Sequence, residues 1–182
     1  MTNTPIKRLC VFCGSANGNS PRYLQQAQSV GRLIAEHGVG LVYGGATVGV
    51  MGEIANAVLE KNQEVIGIIP NCLLEKERAH YKVSKLHIVE TMHDRKRMMY
   101  DLSDAFLVLP GGMGTLDEMF EILTWSQLKL HSKPIYLLNE FGFYDHLLQY
   151  LEHSHNEGFI RAEHKGLLRV LNTQEDVRKI LG

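Results

Sequence analysis

Six short apolar runs alternate with six helix-like segments along this chain, and that alternation leaves few folds open. The runs are Leu9–Cys13, Gly40–Tyr43, Glu64–Ile69, Leu86–Val89, Ala105–Leu109 and Pro134–Leu138. The helix-like segments are Pro21–His37, Met51–Lys61, His93–Leu102, Thr115–Leu130, Tyr144–Glu157 and Thr173–Leu181, the last capped by Thr173. Short, continuously apolar strands between helices describe an α/β fold: a doubly wound, mostly parallel sheet with helices on both faces. At 182 residues the chain fits one domain, 1–182, and is long enough to bury a core without disulfides or metal.

Three of the runs end in glycine turns. The first leads into Cys13-Gly14-Ser15-Ala16-Asn17-Gly18, the second into Tyr43-Gly44-Gly45-Ala46-Thr47-Val48-Gly49. The fifth leads into Pro110-Gly111-Gly112-Met113-Gly114-Thr115-Leu116-Asp117-Glu118. Ligands of open parallel sheets lie at the carboxyl ends of the strands, so these turns describe one crevice. The Pro110 turn opens a helix, where unpaired N–H groups and the helix dipole favour an anion and glycine lets it come close. Neither the dinucleotide G-x-G-x-x-G nor the G-x-x-x-x-G-K-[ST] spacing is present, which weighs against nicotinamide chemistry and phosphoryl transfer from ATP.

Composition removes other classes. A net charge of −1 gives no electrostatic case for nucleic acid or a membrane surface, and no apolar run approaches a bilayer's thickness. Met1 to Arg8 is too short and polar for a signal peptide. Cys10, Cys13 and Cys72 cannot all pair, which suits a reduced, cytoplasmic setting. The Cys10-x-x-Cys13 spacing reads as two buried strand residues, because a redox pair needs a helix N-terminus and Cys10 lies inside an apolar run. The nine histidines are scattered, and no metal-ligand cluster is expected.

On a helical wheel of about 100° per residue, Leu116, Met119, Phe120 and Leu123 form the stripe expected to face the sheet. Thr115, Glu118, Ile122 and Trp125 then fall opposite, a second apolar stripe that a partner subunit would cover, predicting a homodimer through Thr115–Leu130. Glu118 reads either as a solvated first-turn acid or as an acid sharing a face with the phosphate turn. In Met92-His93-Asp94-Arg95-Lys96, Arg95 shares the apolar stripe with Met92 and Met99. A buried guanidinium needs an anion, either Glu118 or a ligand phosphate, unless its head reaches solvent. Lys96 borders that stripe; Arg97 belongs to the solvated side. Met113, Tyr100 and Trp125 fit an adenine pocket or the core equally well.

These residues resemble the LOG (Lonely Guy) family, whose members also carry an older lysine decarboxylase label. The resemblance rests on Pro110 to Glu118 (Pro-Gly-Gly-x-Gly-Thr-x-x-Glu), on Met92-x-x-Arg95-Lys96, and on Thr124-Trp125-Ser126-Gln127 and Lys133-Pro134. It implies a Rossmann-like fold, a dimer, and release of free base from a nucleoside 5′-monophosphate to leave ribose 5-phosphate. Arg95 and Glu118 become the catalytic pair. Ser15, Gly45, Glu77, Met92, Lys96, Gly111, Gly112, Met113, Gly114, Thr115 and Thr124 become substrate- or phosphate-binding positions. No cofactor or metal is implied. Ala46 and Asp117 depart from the family pattern, which has glycine and glutamate there. The competing reading is a non-catalytic carrier of a phosphorylated ligand, akin to molybdenum-cofactor carriers, which needs the phosphate turn but not the Arg95–Glu118 pair.

Overall fold

A computed structural model describes residues 5–182. Seven strands, β1 (Arg8–Phe12), β2 (Gly40–Tyr43), β3 (Val65–Pro70), β4 (Lys85–Val89), β5 (Ala105–Val108), β6 (Ile135–Leu138) and β7 (Leu168–Leu171), form one sheet ordered β4-β3-β2-β1-β5-β6-β7. Every adjacent pair is parallel. The sheet is therefore all parallel rather than mostly so, and carries a strand, β7, beyond the six runs read from the sequence. That strand is an edge and two of its four residues are exposed, so Leu-Arg-Val-Leu lacks the continuous apolar signature of a doubly covered strand.

Six helices connect the strands: α1 (Arg22–Glu36), α2 (Gly49–Leu59), α3 (Met92–Asp101), α4 (Met113–Gln127), α5 (Asp145–Asn156) and α6 (Gln174–Leu181). Each falls on its expected segment within a few residues. Strand side chains alternate between faces, and two cores result. Leu9, Val11 and Cys13 pack with α1, α2 and α6 residues such as Ala27, Ile54 and Val177. Cys10 and Phe12 pack on the other face with Met99 of α3, Met119 and Ile122 of α4, and Tyr144. Cys10 and Cys13 thus sit in opposite layers as free, buried thiols whose pKa burial pushes up. This is the structural role expected for them.

Topology places the functional crevice. From β1 the chain winds one way through β2, β3 and β4, then returns to the other side of β1 with β5. The strand order reverses between β1 and β5, and the loops leaving their carboxyl ends diverge there to open a cleft. The two turns touch at their roots, where the Gly14 N–H donates to the Pro110 carbonyl at 3.1 Å. Two side-chain caps fix helix starts: Thr91 and Asp94 form a reciprocal capping box at α3, and Thr173 and Asp176 do the same at α6.

The wheel placed the wrong stripe of α4 against the sheet. Thr115, Glu118, Met119 and Ile122 are the buried residues, spaced i, i+3, i+4 and i+7. Leu116, Phe120 and Leu123 lie round the helix, half-buried at the margin of the same core. Hydrophobicity misled because the true inner stripe begins with two polar residues that face the cleft rather than the apolar core. The expected cover for Ile122 and Trp125 is also internal. Ile122 is buried in the chain's own core, and Trp125 meets the Tyr100 ring edge-on at 5.4 Å.

Candidate active site

The cleft at the β1–β5 junction encloses about 380 Å³ and is lined by both turns together with Met51, Glu77, Arg95, Thr115 and Glu118. One of its walls is the start of α4. The Gly112 N-cap has no side chain to offer, and the first helical hydrogen bond there runs from the Leu116 N–H to the Gly112 carbonyl at 3.1 Å. The N–H groups of Met113, Gly114 and Thr115 are left at the cleft wall. At α2, by contrast, the Met51 and Val50 N–H groups donate to the Gly14 and Ala16 carbonyls of the β1 turn. Of these two helix starts, α4 is the one with its positive end free for an anion.

Gly111 has a steric reason to be glycine, since a Cβ there would overlap the Thr115 side chain and come within 2.8 Å of the Gly14 nitrogen. Thr115, the third residue of the helix, is buried. One turn further, Glu118 points into the cleft and is only 7% exposed. Burial pushes its carboxyl up to about 7; Arg95 opposes that rise, while the negative charges of Asp117 and Glu77 add to it.

Arg95 reaches the cleft floor from α3 and is 4% exposed. Its Nε donates to the Ile68 carbonyl at 3.2 Å and its Nη2 to the Gly44 carbonyl at 3.1 Å, anchoring the guanidinium on the ends of β3 and β2. Nη2 also stands 3.9 Å from Glu118 Oε1 and 4.0 Å from Glu77 Oε2. Both carboxylates are within electrostatic reach and neither is hydrogen-bonded to it. Of the alternatives left open by the sequence, a head reaching solvent is removed by this burial, and two protein carboxylates stand within 4.0 Å of the guanidinium. The neighbouring Gly44 makes this seat, because a Cβ there would overlap the guanidinium.

Of the positions singled out in the sequence, Ser15, Glu77, Arg95, Gly111, Gly112, Met113, Gly114, Thr115 and Glu118 line the cleft. Four do not. Gly45 has φ +78° and accepts the His80 N–H at 2.9 Å, so it pins the β3–β4 connection that carries Glu77. Met92 lies 4.0 Å from Arg95 Nη1, behind the guanidinium. Lys96 binds Asp117 at 3.1 Å and Glu121 at 3.2 Å. Burial works against its charge, but those two acids outweigh it and hold its pKa above the ordinary value. Thr124 is exposed on the far part of α4, its hydroxyl spent on the Phe120 carbonyl at 2.7 Å. Sequence reasoning missed Met51, Tyr23 and Phe143, which also line the cleft. Tyr23 and Phe143 meet edge-on at 5.6 Å, an encounter of distant segments that no local pattern announces. Among the described residues no group of three or more His, Cys, Asp or Glu is placed to hold a metal ion.

Comparison with known proteins adds four findings. A family model described as "Possible lysine decarboxylase" matches residues 51–181. The cytokinin riboside 5′-monophosphate phosphoribohydrolase of Rhodococcoides fascians is 50% identical over 155 residues, spanning 85% of this chain and 78% of that protein. The enzyme of the same name, LOG, from Oryza sativa subsp. japonica is 42% identical over 163 residues, 90% of this chain and 67% of that one. Among solved structures, the molybdenum cofactor binding protein of Rippkaea orientalis superposes with a TM-score of 0.71, covering 100% of this chain and 97% of that one. Its identity is 22%, so the likeness is one of fold.

Proposed function

The chain belongs to the LOG family, and from that premise we propose that it hydrolyses the N-glycosidic bond of an adenosine 5′-monophosphate, with or without a prenyl group on the base. Free base and ribose 5-phosphate are the products. One observation carries this reading: a buried carboxylate, Glu118, stands one helical turn from a helix N-terminus without a side-chain cap in the same cleft. That spacing suits a phosphate at one end and a ribose at the other.

The 5′-phosphate docks on the Met113–Thr115 N–H groups, and its binding energy orients the sugar. As the bond to the base lengthens, positive charge builds on the ribose ring. Ionised Glu118 stabilises that charge and takes a proton from the attacking water, whose oxygen ends on C1′; the base leaves with the bond's electron pair and is protonated from solvent, to which Glu118 afterwards returns its proton. Arg95 keeps Glu118 ionised more readily than burial alone would allow, and Glu77 closes the cleft from the other side. A carrier of a phosphorylated ligand needs the helix N-terminus but has no use for a buried acid tuned near neutrality, so the carrier reading is weaker.

A homodimer fits the remaining surface, over a different face than the wheel implied. An apolar groove runs between α4, α5 and β7, lined by Phe120, Leu123, Leu148, Leu151, Leu168 and Val170, with Leu128 and Leu130 exposed nearby. A second copy would cover it, and Thr124 lies on the same groove. No described helix is long and apolar enough to cross a membrane. Three free thiols suit a reducing cytoplasm.

The test is product analysis after incubation with AMP, GMP, CMP and isopentenyl-AMP. Adenine or its prenylated form is expected together with ribose 5-phosphate, and Glu118→Gln is expected to slow release by about 10²- to 10⁴-fold. Tight nucleotide binding with no base released over hours would support the carrier instead.

A further inference from the structure

The connection between β3 and β4, residues 71–84, carries Glu77 to the cleft. Its regular structure is one short turn, Asn71–Leu73, and an isolated antiparallel bridge between Ala79 and Ala46 of the β2 turn. Backbone bonds flank that bridge. The Thr47 N–H and hydroxyl both donate to the Arg78 carbonyl, at 2.9 Å and 2.7 Å, and the His80 N–H donates to the Gly45 carbonyl at 2.9 Å. The adjacent Gly44 carbonyl accepts Arg95 at 3.1 Å, so arginine and connection are both fastened to the same turn.

The His80 ring adds a fastening to a third element. It is buried, and its Nε2 lies 3.0 Å from Asn56 Oδ1 on α2. Burial, with Lys82 acting in the same sense, holds its pKa below the ordinary histidine value, so the ring is neutral near pH 7. The acceptor opposite Nε2 places its one N–H there. Nδ1 is then a bare lone pair, buried with no hydrogen-bond partner among the described residues. An apolar side chain would fill that space without an orphaned nitrogen, so what the imidazole contributes is one directed bond to α2. Next to Glu77, Arg78 has φ +49°, a strained bend of the kind that persists only where its surroundings hold it. Glu77 Oε2, 4.0 Å from Arg95 Nη2, is likewise buried with no hydrogen-bond partner among the described residues.

We infer that His80 is a positioning residue for the cleft: its bond to Asn56 holds the β3–β4 connection against α2 and keeps the Glu77 carboxylate beside Arg95 and Glu118. The consequence for chemistry rests on the hydrolase reading; the latch itself does not. Burial is the main cause of the raised Glu118 carboxyl, and of the charges around it Arg95 opposes the rise while Glu77 adds to it. Lifting the connection takes Glu77 away and leaves Arg95 in place on the strand ends. Glu118 then ionises at lower pH and becomes a weaker base for water.

The test compares wild-type protein with His80→Leu, His80→Gln, Asn56→Ala, Glu77→Gln and the His80→Leu/Glu77→Gln double variant. Leucine fills the space without the bond, and glutamine keeps an N–H donor near the Nε2 position. Limited trypsin digestion reads the connection through cleavage after Lys76, Arg78 and Lys82, with urea unfolding run alongside to separate local opening from global loss of stability. His80→Leu and Asn56→Ala are expected to be cut there about tenfold faster than wild type, and His80→Gln to return towards the wild-type rate. The Glu118 carboxyl is followed by carbon NMR of isotope-labelled glutamate and assigned by its loss in Glu118→Gln. It is expected to titrate lower in His80→Leu and in Glu77→Gln, with no further fall in the double variant. Both readouts are available on a protein that hydrolyses nothing, so failure of the hydrolase reading leaves them intact. Cleavage of His80→Leu and Asn56→Ala at the wild-type rate, a Glu118 titration that His80→Leu leaves unmoved, or shifts that add in the double variant would overturn the inference.

Discussion

Glu118, the acid to which the proposed reaction assigns the chemistry, is also a residue whose burial weakens the fold. Its folded pKa of about 7 lies above the ordinary carboxylate range, so the folded state holds this proton more tightly than the unfolded one. The associated stability is fully present below about pH 4.5 and is lost as pH rises towards 7, a decline of about 3 kcal/mol. Glu118→Gln removes the ionisation. Chemical denaturation should therefore find the variant more stable than wild type at pH 8 and indistinguishable from it at pH 4.5; equal stability at both would contradict the assigned environment. Activity runs in the opposite sense. If ionised Glu118 assists water, kcat should rise with pH through about 7 and then level off, falling about tenfold per pH unit below that point. Arg95 was legible as a buried cation from its place on an apolar stripe, but its seat was not. Gly44 looks in the sequence like one more turn glycine, and only coordinates show the guanidinium occupying the space its side chain would fill.

At the scale of elements, the strand–turn–helix order was readable because parallel strands covered on both faces must be apolar throughout, and their turns must be glycine-rich where backbones meet. Helix orientation was less readable. α4 turns a stripe that begins Thr115 and Glu118 inward because its first turn lines a polar cleft, so a wheel that ranks stripes by hydrophobicity picks the neighbouring one. β7 was missed for the complementary reason: an edge strand does not need a fully apolar sequence. The turn feeding α4 is the most tightly constrained connection near the site. Gly111→Ala would drive a methyl group against the Thr115 side chain and the Gly14 nitrogen. Such overpacking should cost about 1–3 kcal/mol in urea unfolding and displace the α4 N-terminus from the position proposed to bind the phosphate. A rise in KM for the nucleotide is expected alongside the lost stability; a variant with wild-type stability and KM would show that the turn has room to spare.

At the scale of the molecule, the order β4-β3-β2-β1-β5-β6-β7 fixes the cleft at the point where winding reverses, and the turns there line it together with Glu118 of α4 and the buried Arg95 of α3. Assembly was the least legible property. The sequence suggested a dimer through α4 for the wrong stripe, and the open apolar groove instead lies where α4 meets α5 and β7. If a second copy covers it, light scattering on wild-type protein should give twice the mass of one chain, and Leu123→Glu should halve it by placing a charge in the groove. A wild-type monomer would remove the dimer from this account without touching the chemistry of the cleft. The most direct measurement for that chemistry is a crystal structure of Glu118→Gln bound to AMP. The account expects the phosphate on the N–H groups of Met113 to Thr115 and C1′ of the ribose within about 4 Å of the residue 118 side chain, directly or through one water. A nucleotide bound with its phosphate away from that helix, or with its ribose turned from residue 118, would contradict it.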